Sequence, residues 1–126
     1  MKVVHAMWFE IPTKDLDRAI SFYEKVFECE IKKVDMGDFK MGWFPTDGKS
    51  PGATGSLVYH SDFYKTSDKA GPLIYLHSDD CNGELARVSE AGGKVLIPKK
   101  EISPEHGFMG VFIDPEGNRI ALHSLQ

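Results

Sequence analysis

This chain of 126 residues has few or none of the sequence features that mark disulfide-rich, metal-binding, membrane or secreted proteins. The only two cysteines, Cys29 and Cys81, are far apart and lack metal-knuckle spacing, so neither a disulfide framework nor a zinc knuckle is expected. No apolar run approaches the ~20 residues that cross a bilayer. The first residues also lack the basic stretch and apolar core of a secretory signal. These absences predict a soluble, cytoplasmic protein with no membrane partner.

An excess of positive charge is also missing. The chain has 15 Lys and Arg against 19 Asp and Glu, a net charge of −4, and no basic stripe, which argues against nucleic acid as a partner. Hydrophobic residues make up 41% and charged residues 27%, which is ordinary for a globular domain and unlike disorder or a coiled coil. A chain of this length buries about two-thirds of its unfolded surface, enough for one domain with its own core.

What is present is an alternation of strand and helix patterns. Val3–Ile11 alternates with Trp8 and Glu10 on one face, which predicts a strand. Asp15 can cap a helix that runs to about Phe27. Three further strands are predicted, at Glu30–Val34, Phe39–Phe44 and Thr54–His60. The polar stretch 61–71 is predicted to be a linker or flexible loop.

The same order then repeats. Pro72–Ser78 is predicted to be extended, Asp80 caps a second helix, and Gly92 and Gly93 end that helix. Strands follow at Lys94–Ile97, Phe108–Ile113 and Asn118–His123, with Ser103–Gly107 read as a loop and Asp114–Gly117 as a tight turn. The predicted fold is α+β: one domain of residues 1–126, in which two tandem βαβββ modules, residues 1–62 and 70–126, form a curved, cup-shaped mixed sheet with helices on the convex face.

Five short motifs carry a resemblance to a known family. They are Phe9-Glu10-Ile11-Pro12, Asp15-Leu16-Asp17-Arg18-Ala19, Phe22-Tyr23, Ala91-Gly92-Gly93 and Asp114-Pro115-Glu116-Gly117-Asn118. In this order the chain resembles the vicinal oxygen chelate superfamily, which includes glyoxalase I, bleomycin- and fosfomycin-resistance proteins and extradiol dioxygenases. The resemblance implies the duplicated fold and, because members are commonly dimers, a homodimer.

The resemblance also implies where a divalent metal would be held. In the metal-dependent members His and Glu side chains from the first and last strand of each module bind it. The corresponding positions here are Trp8, Ser56, Leu73 and Ala121. Three of these side chains cannot bind a metal and a serine is a poor ligand, so no metal cofactor is expected. A divalent metal on non-standard ligands is the alternative.

Strand alternation selects the candidate site residues. Alternation places Trp8, Glu10, Tyr75 and Ala121 on the cup face, and the resemblance adds Ser56; these five residues are the ligand-binding candidates. Glu10, His77 and His123 are the catalytic candidates, because a partly buried carboxylate or imidazole can serve as a general base. The structural alternative is that Glu10 accepts hydrogen bonds at a strand end and that both histidines lie at exposed strand tips. These three residues could also bind a displaced metal.

Two classes of function follow. The first is a glyoxalase-like protein that binds a small-molecule ligand in a metal-free aromatic cup, as the resemblance to bleomycin-resistance proteins implies. The second is an enzyme: either a metal-free acid–base catalyst that uses Glu10, or a metal-dependent lyase, isomerase or dioxygenase with non-standard ligands. Glyoxalase I activity itself is not expected, because the residues that would hold its metal are replaced.

Overall fold

The computed structural model describes all 126 residues and contains two modules with the same order of elements. The first module contains β1 (Trp8–Pro12), α1 (Leu16–Phe27), β2 (Lys32–Met36), β3 (Phe39–Trp43) and β4 (Thr54–Tyr59). The second contains β5 (Tyr75–His77), α2 (Cys81–Ala91), β6 (Lys94–Ser103), β7 (Gly107–Ile113) and β8 (Arg119–Ser124). The prediction of an α+β fold with tandem βαβββ modules is confirmed.

Each module has its own four-stranded mixed sheet. The strand orders are β1-β4-β3-β2 and β5-β8-β7-β6, with the first strand of each module parallel to the last and the other pairs antiparallel. The prediction of one continuous sheet is wrong, because no strand ladder joins the edge strands β1 and β5. Phe9 on β1 and Leu76 on β5 pack against the shared core.

Both predicted helix caps are confirmed. The Asp15 carboxylate accepts from the backbone N–H of Arg18 at 3.1 Å, and that of Asp80 accepts from the backbone N–H of Asn82 at 3.0 Å. A carboxylate at this position satisfies an amide that has no partner inside the helix. Gly92 ends α2 in the left-handed region, with φ of 108°, where a side chain would be strained. No helix is both long and apolar enough to cross a membrane.

The two modules share one core. Both helices contribute buried residues to a cluster of 14, and Phe22 of α1 lies 5.6 Å, centroid to centroid, from Phe112 of β7. The Tyr23 hydroxyl donates a 2.7 Å hydrogen bond to the Asp114 carboxylate across the same boundary. The helices therefore cover one face of each sheet. The opposite face of each sheet, called here the helix-free face, has no helix against it.

A buried carboxylate fixes the turn of the second module to the helix of the first. The Glu116 carboxylate accepts from the backbone N–H groups of Lys14 and Asp15 at 2.8 and 2.7 Å, and from Arg18 Nε at 2.7 Å. Burial by itself raises the pKa of Glu116, but the Arg18 guanidinium and the two backbone donors outweigh it, so the pKa lies below the ordinary value. The predicted tight turn is present: the Gly117 N–H donates to the Asp114 carbonyl at 3.0 Å.

Two strands differ in extent from the prediction. β1 begins at Trp8 rather than Val3, because Trp8 pairs with Thr54, the first residue of its only partner strand. His5 and Met7 are consequently exposed rather than packed against the helix. β6 continues to Ser103, past the expected end at Ile97, because β7 supplies partners as far as Gly107 and three register shifts accommodate the irregularities. The predicted Ser103–Gly107 loop is therefore the end of a hairpin.

Candidate functional site

The helix-free face of the first module exposes two tryptophans in contact. Trp8 of β1 and Trp43 of β3 pack edge to face, with ring centroids 6.3 Å apart and planes at 84°. Trp8 is 44% exposed and Trp43 37%, although large aromatic side chains are usually buried in small domains. The prediction that Trp8 lies on this face is consistent with the register, and Trp43 is an addition that sequence alternation alone did not place there.

Glu10 lies beside this pair and is held by two donors. One carboxylate oxygen accepts a short hydrogen bond from the Tyr64 hydroxyl, and the other accepts from Trp8 Nε1 at 3.4 Å. The hydrogen bond to Glu10 raises the pKa of Tyr64 to about 12, because the nearby negative charge disfavours a phenolate. Glu10 is therefore a fixed acceptor at the edge of the aromatic surface.

Tyr64 was not predicted as a site residue, because the stretch 61–71 was interpreted as a linker. The structure shows that this stretch folds back onto the protein. The Tyr64 ring packs edge to face on Phe39 with centroids 6.1 Å apart, and the Ser67 N–H donates to Asn118 Oδ1 at 3.4 Å. The available signal was Tyr64 itself, an aromatic side chain with a polar tip inside an otherwise polar segment.

Ser56 forms the floor beneath these groups. Its Cα is the register partner of Glu10 on one side and of Trp43 on the other, so all three side chains project from the same face. Ser56 is fully buried, and its hydroxyl has no hydrogen-bond partner within the protein. An unpaired buried hydroxyl is costly, and Ser56 is a polar side chain enclosed in this floor.

The candidates of the second module lie on a different kind of surface. Tyr75 and Ala121 are register partners on the helix-free face of their own sheet. Ala121 is fully buried and packs with Met109 and Val111, and Leu73 covers this small aliphatic cluster. Tyr75 is 51% exposed and remains accessible to a ligand, whereas Ala121 is part of the packed floor.

The two candidate histidines lie at the rim. His77 and His123 are register partners on β5 and β8. His77 is exposed, with Nε2 3.4 Å from the Asp79 carboxylate, and His123 Nε2 lies 2.6 Å from the carbonyl oxygen of His106. No three His, Cys, Asp or Glu side chains come together in a way that could hold a metal, and Glu10 lies on the first module whereas His77 and His123 lie on the second.

The positions at which the resembled superfamily holds its metal do not fit one either. Trp8 and Ala121 offer an indole and a methyl group, and Leu73 is aliphatic. The remaining position, Ser56, supplies a single buried hydroxyl. Divalent transition metals are held in proteins by imidazole, thiolate or carboxylate ligands, and none of these groups is present at the four positions.

Two cavities flank the boundary between the modules. One, of about 500 Å³, borders Trp8 and Glu10 on one side and Arg119 on the other. The second, of about 580 Å³, lies at the other end of β1 between Phe44 and His77, and the turn 45–52 forms much of its wall. Only the first is continuous with the tryptophan pair.

Comparison with known proteins gives relatives of more than one kind. The chain is 28% identical over 124 residues to the anthracycline biosynthesis protein DnrV of Streptomyces peucetius, covering 91% of this chain and 45% of that one. A mutant form of glyoxalase I from Zea mays superposes with a TM-score of 0.74 at 20% identity, covering 94% of this chain and 45% of the other. TnmS3, an antibiotic-binding protein from a Streptomyces species, superposes with a TM-score of 0.65 at 25% identity and 98% coverage of both chains.

These relatives differ in length and in their described roles. The chain spans about half of DnrV and of the maize enzyme, but nearly all of TnmS3. The family model of the Glyoxalase/Bleomycin resistance protein/Dioxygenase superfamily matches residues 2–122, so the protein belongs to that superfamily.

Proposed function

We propose that the protein binds a planar aromatic small molecule on the helix-free face of its first module. The observation that carries this proposal is the exposed pair Trp8 and Trp43, in contact on a sheet face that no helix covers. Exposed indoles leave apolar area in water, and a flat ring system that stacks on one of them and meets the other edge-on removes that area and gains aromatic contact. A pocket with aromatic walls and few polar groups is the usual form of a small-molecule site.

The polar groups around the pair would orient such a ligand. Each Glu10 carboxylate oxygen has two lone pairs and accepts one hydrogen bond within the protein, so a ligand hydroxyl or N–H group can still donate to it. Tyr64 holds this carboxylate in place from the opposite side. A ligand therefore needs a donor group at the edge of its ring system to use Glu10.

One of the relatives supports a binding role. TnmS3 is described as an antibiotic-binding protein, and its length corresponds to this chain. DnrV is described as a protein of anthracycline biosynthesis.

We also propose that binding requires no metal. The support is chemical, because Trp8, Leu73 and Ala121 have no group that coordinates a divalent ion. Affinity for an aromatic ligand should be unchanged after dialysis against a chelator. A loss of binding that added zinc, nickel, iron or manganese restores would contradict this proposal.

The test uses intrinsic fluorescence, because Trp8 and Trp43 are the only tryptophans in the chain. Titration with naphthamide, a planar probe, should quench or shift the emission, and a saturated decalin amide of similar size should not. Trp8→Phe should retain binding and Trp8→Ala should lose it. Leu96→Ala, an exposed apolar residue on β6, is the control and should bind normally. Equal responses to the flat and the saturated probe would contradict the proposal.

An enzymatic function is the second candidate, and the Glu10–Tyr64 contact is what favours it. A carboxylate paired with a phenol can remove a proton from a ligand and return one to it. Glu10→Gln separates the two candidates: a catalyst loses turnover and keeps affinity, whereas a binding protein shows only a change in affinity. No metal-dependent version is proposed, since the donor groups do not fit.

We also propose that the protein forms a homodimer. The support is the resemblance, since the outer sheet edges are already protected: β2 contains Lys32, Lys33 and Asp35, and β6 contains Pro98 and register shifts. Sedimentation at micromolar concentration should show a species of twice 14.1 kDa if the protein dimerises. A single 14.1 kDa species would contradict it.

A further inference from the structure

The cavity beside Trp8 and Glu10, at the edge of β1, would not be filled by a ring system stacked on the tryptophan pair. It has a volume of about 500 Å³, lies between β1 and the second module, and is roofed by residues of the segment 65–72. Phe9, Ile74 and Ile120 give it apolar walls. Because Trp8 and Glu10 also line it, the cavity opens beside the tryptophan pair, and a ligand stacked there can extend a substituent into it.

Three ionisable side chains line this cavity: Glu10, Lys65 and Arg119. The single carboxylate already accepts hydrogen bonds from Tyr64 and Trp8, whereas no ion pair joins either cation to it. Two cations against one carboxylate leave an excess of positive charge. Between apolar walls, such a charge attracts an opposite charge more strongly than it does at the protein surface.

Arg119 has a donor that the protein does not satisfy. Its Nη2 donates to the carbonyl oxygen of Gly71 at 3.2 Å, but its Nε is buried and has no hydrogen-bond partner. Leaving a buried donor of a charged group unpaired is unfavourable. A guanidinium pairs best with a carboxylate, which can accept two parallel hydrogen bonds.

We propose that Arg119 and Lys65 form an anion subsite that binds a carboxylate carried on the same planar aromatic ligand. The inference rests on the proposed function, because the ring system on Trp8 would direct the carboxylate into the cavity. The ligand class is then an aromatic carboxylic acid rather than a neutral polycycle. Arg119 is the residue that sets this specificity, because it lines the cavity and its guanidinium makes only one hydrogen bond within the protein, from Nη2 to Gly71.

The experiment compares two probes with the same rings, naphthoate and naphthamide, by isothermal titration calorimetry. Naphthoate should bind about tenfold tighter or more to the native protein, as a charge-assisted hydrogen bond of ordinary strength gives. Arg119→Met should abolish this preference while leaving naphthamide affinity within about twofold. Lys65→Met should reduce the preference in part. Lys69→Met, an exposed lysine outside the cavity, is the matched control and should keep it in full.

The outcomes distinguish this inference from the function it rests on. Equal affinity of the two probes for the native protein overturns the subsite and leaves the stacking site intact, whereas no binding of either probe overturns both. A preference that survives Arg119→Met also overturns the subsite. Lys65 is exposed and bonds only to the Ser61 carbonyl oxygen, so Lys65→Met should fold even if Arg119→Met does not. An unchanged preference in Lys65→Met would then refute the proposal.

Discussion

The two helix-free faces have the same strand order but opposite surfaces. In the first module the face exposes Trp8 and Trp43 beside the Glu10 carboxylate. In the second module the corresponding sheet carries a packed aliphatic cluster, in which Met109, Val111 and Ala121 are buried. The first face therefore leaves two tryptophans exposed, whereas the second combines a buried aliphatic cluster with one exposed aromatic side chain, Tyr75.

This difference shows what a duplicated fold allows. Both modules need the common core, since neither a single helix nor a single four-stranded sheet buries enough apolar surface alone. Once the core is shared, the helix-free face of either half is free to vary. The second half buries a cluster of aliphatic residues on its face and gains stability, while the first keeps two exposed indole rings that contribute less to stability.

The largest effect is expected from breaking the shared core. Phe22→Ala removes a buried ring that packs on Phe112 of the other module, and should lower the free energy of unfolding by ~3–5 kcal/mol. Chemical denaturation should show one transition for both halves. Phe63→Ala, an exposed aromatic, is the control and should cost less than ~1 kcal/mol. Two separate transitions would mean that the modules fold independently.

A pair of substitutions sharpens the contrast between the two faces. Met109→Ala should lower the free energy of unfolding by ~2–5 kcal/mol and leave ligand affinity unchanged, because Met109 is buried in the aliphatic cluster. Trp8→Ala should do the reverse, with a stability loss below the ~3 kcal/mol of a buried aromatic and loss of probe binding. Denaturation and calorimetry on both variants test this. If Trp8→Ala unfolds the protein and Met109→Ala abolishes binding, the assignment of the two faces is wrong.

The architecture could be predicted from sequence because local signals repeat. Asp15 and Asp80 are caps at a constant spacing before amphipathic stretches, and Gly92 and Gly117 fall where positive φ is required. The two separate sheets could not be predicted, because alternation determines which face a side chain occupies but not which strand edge pairs with another.

The candidate site was predictable only in part, for a similar reason. Trp8 and Glu10 are two apart on one strand, so period-two alternation placed them on one face. Trp43 and Tyr64 reach the same place through sheet register and loop folding, which depend on contacts distant in sequence. The proposed anion subsite combines Arg119 and Lys65. These residues are far apart in sequence and line the same cavity only in the folded protein.

A third prediction breaks the connection between the modules by changing charge. Glu116→Gln keeps the side-chain shape but removes the charge that Arg18 and two backbone N–H groups contact, and should lower the free energy of unfolding by ~1–3 kcal/mol at neutral pH. The pKa of Glu116 is lowered in the folded protein, so its contribution is complete above its ordinary value of 4.5 and is lost as pH falls through the folded pKa. The difference between native protein and variant should therefore shrink in acid.

Asp114 supplies an internal check on this pH dependence. Burial raises the pKa of Asp114, so its effect on stability has the opposite sign and favours the folded state as pH falls. Asp114 is present in both proteins and cannot produce the difference between them. Unfolding midpoints measured across the acid range, with a gap between the two proteins that stays constant with pH, would contradict the role given to Glu116.

The smallest effect concerns the hydrogen bond from Tyr64 to Glu10, at the helix-free face of the first module. Tyr64→Phe removes a donor to Glu10 and should cost about 1 kcal/mol of stability. Because the folded pKa of Tyr64 is raised from 10.0 to about 12, this contribution is present below pH 10 and is lost as pH rises toward 12. Glu10→Gln removes the charge, so the pKa of Tyr64 should return toward 10.0. Ultraviolet titration of tyrosinate in native protein and Glu10→Gln should then differ by one tyrosine, and identical curves would show that Glu10 does not hold Tyr64 in solution.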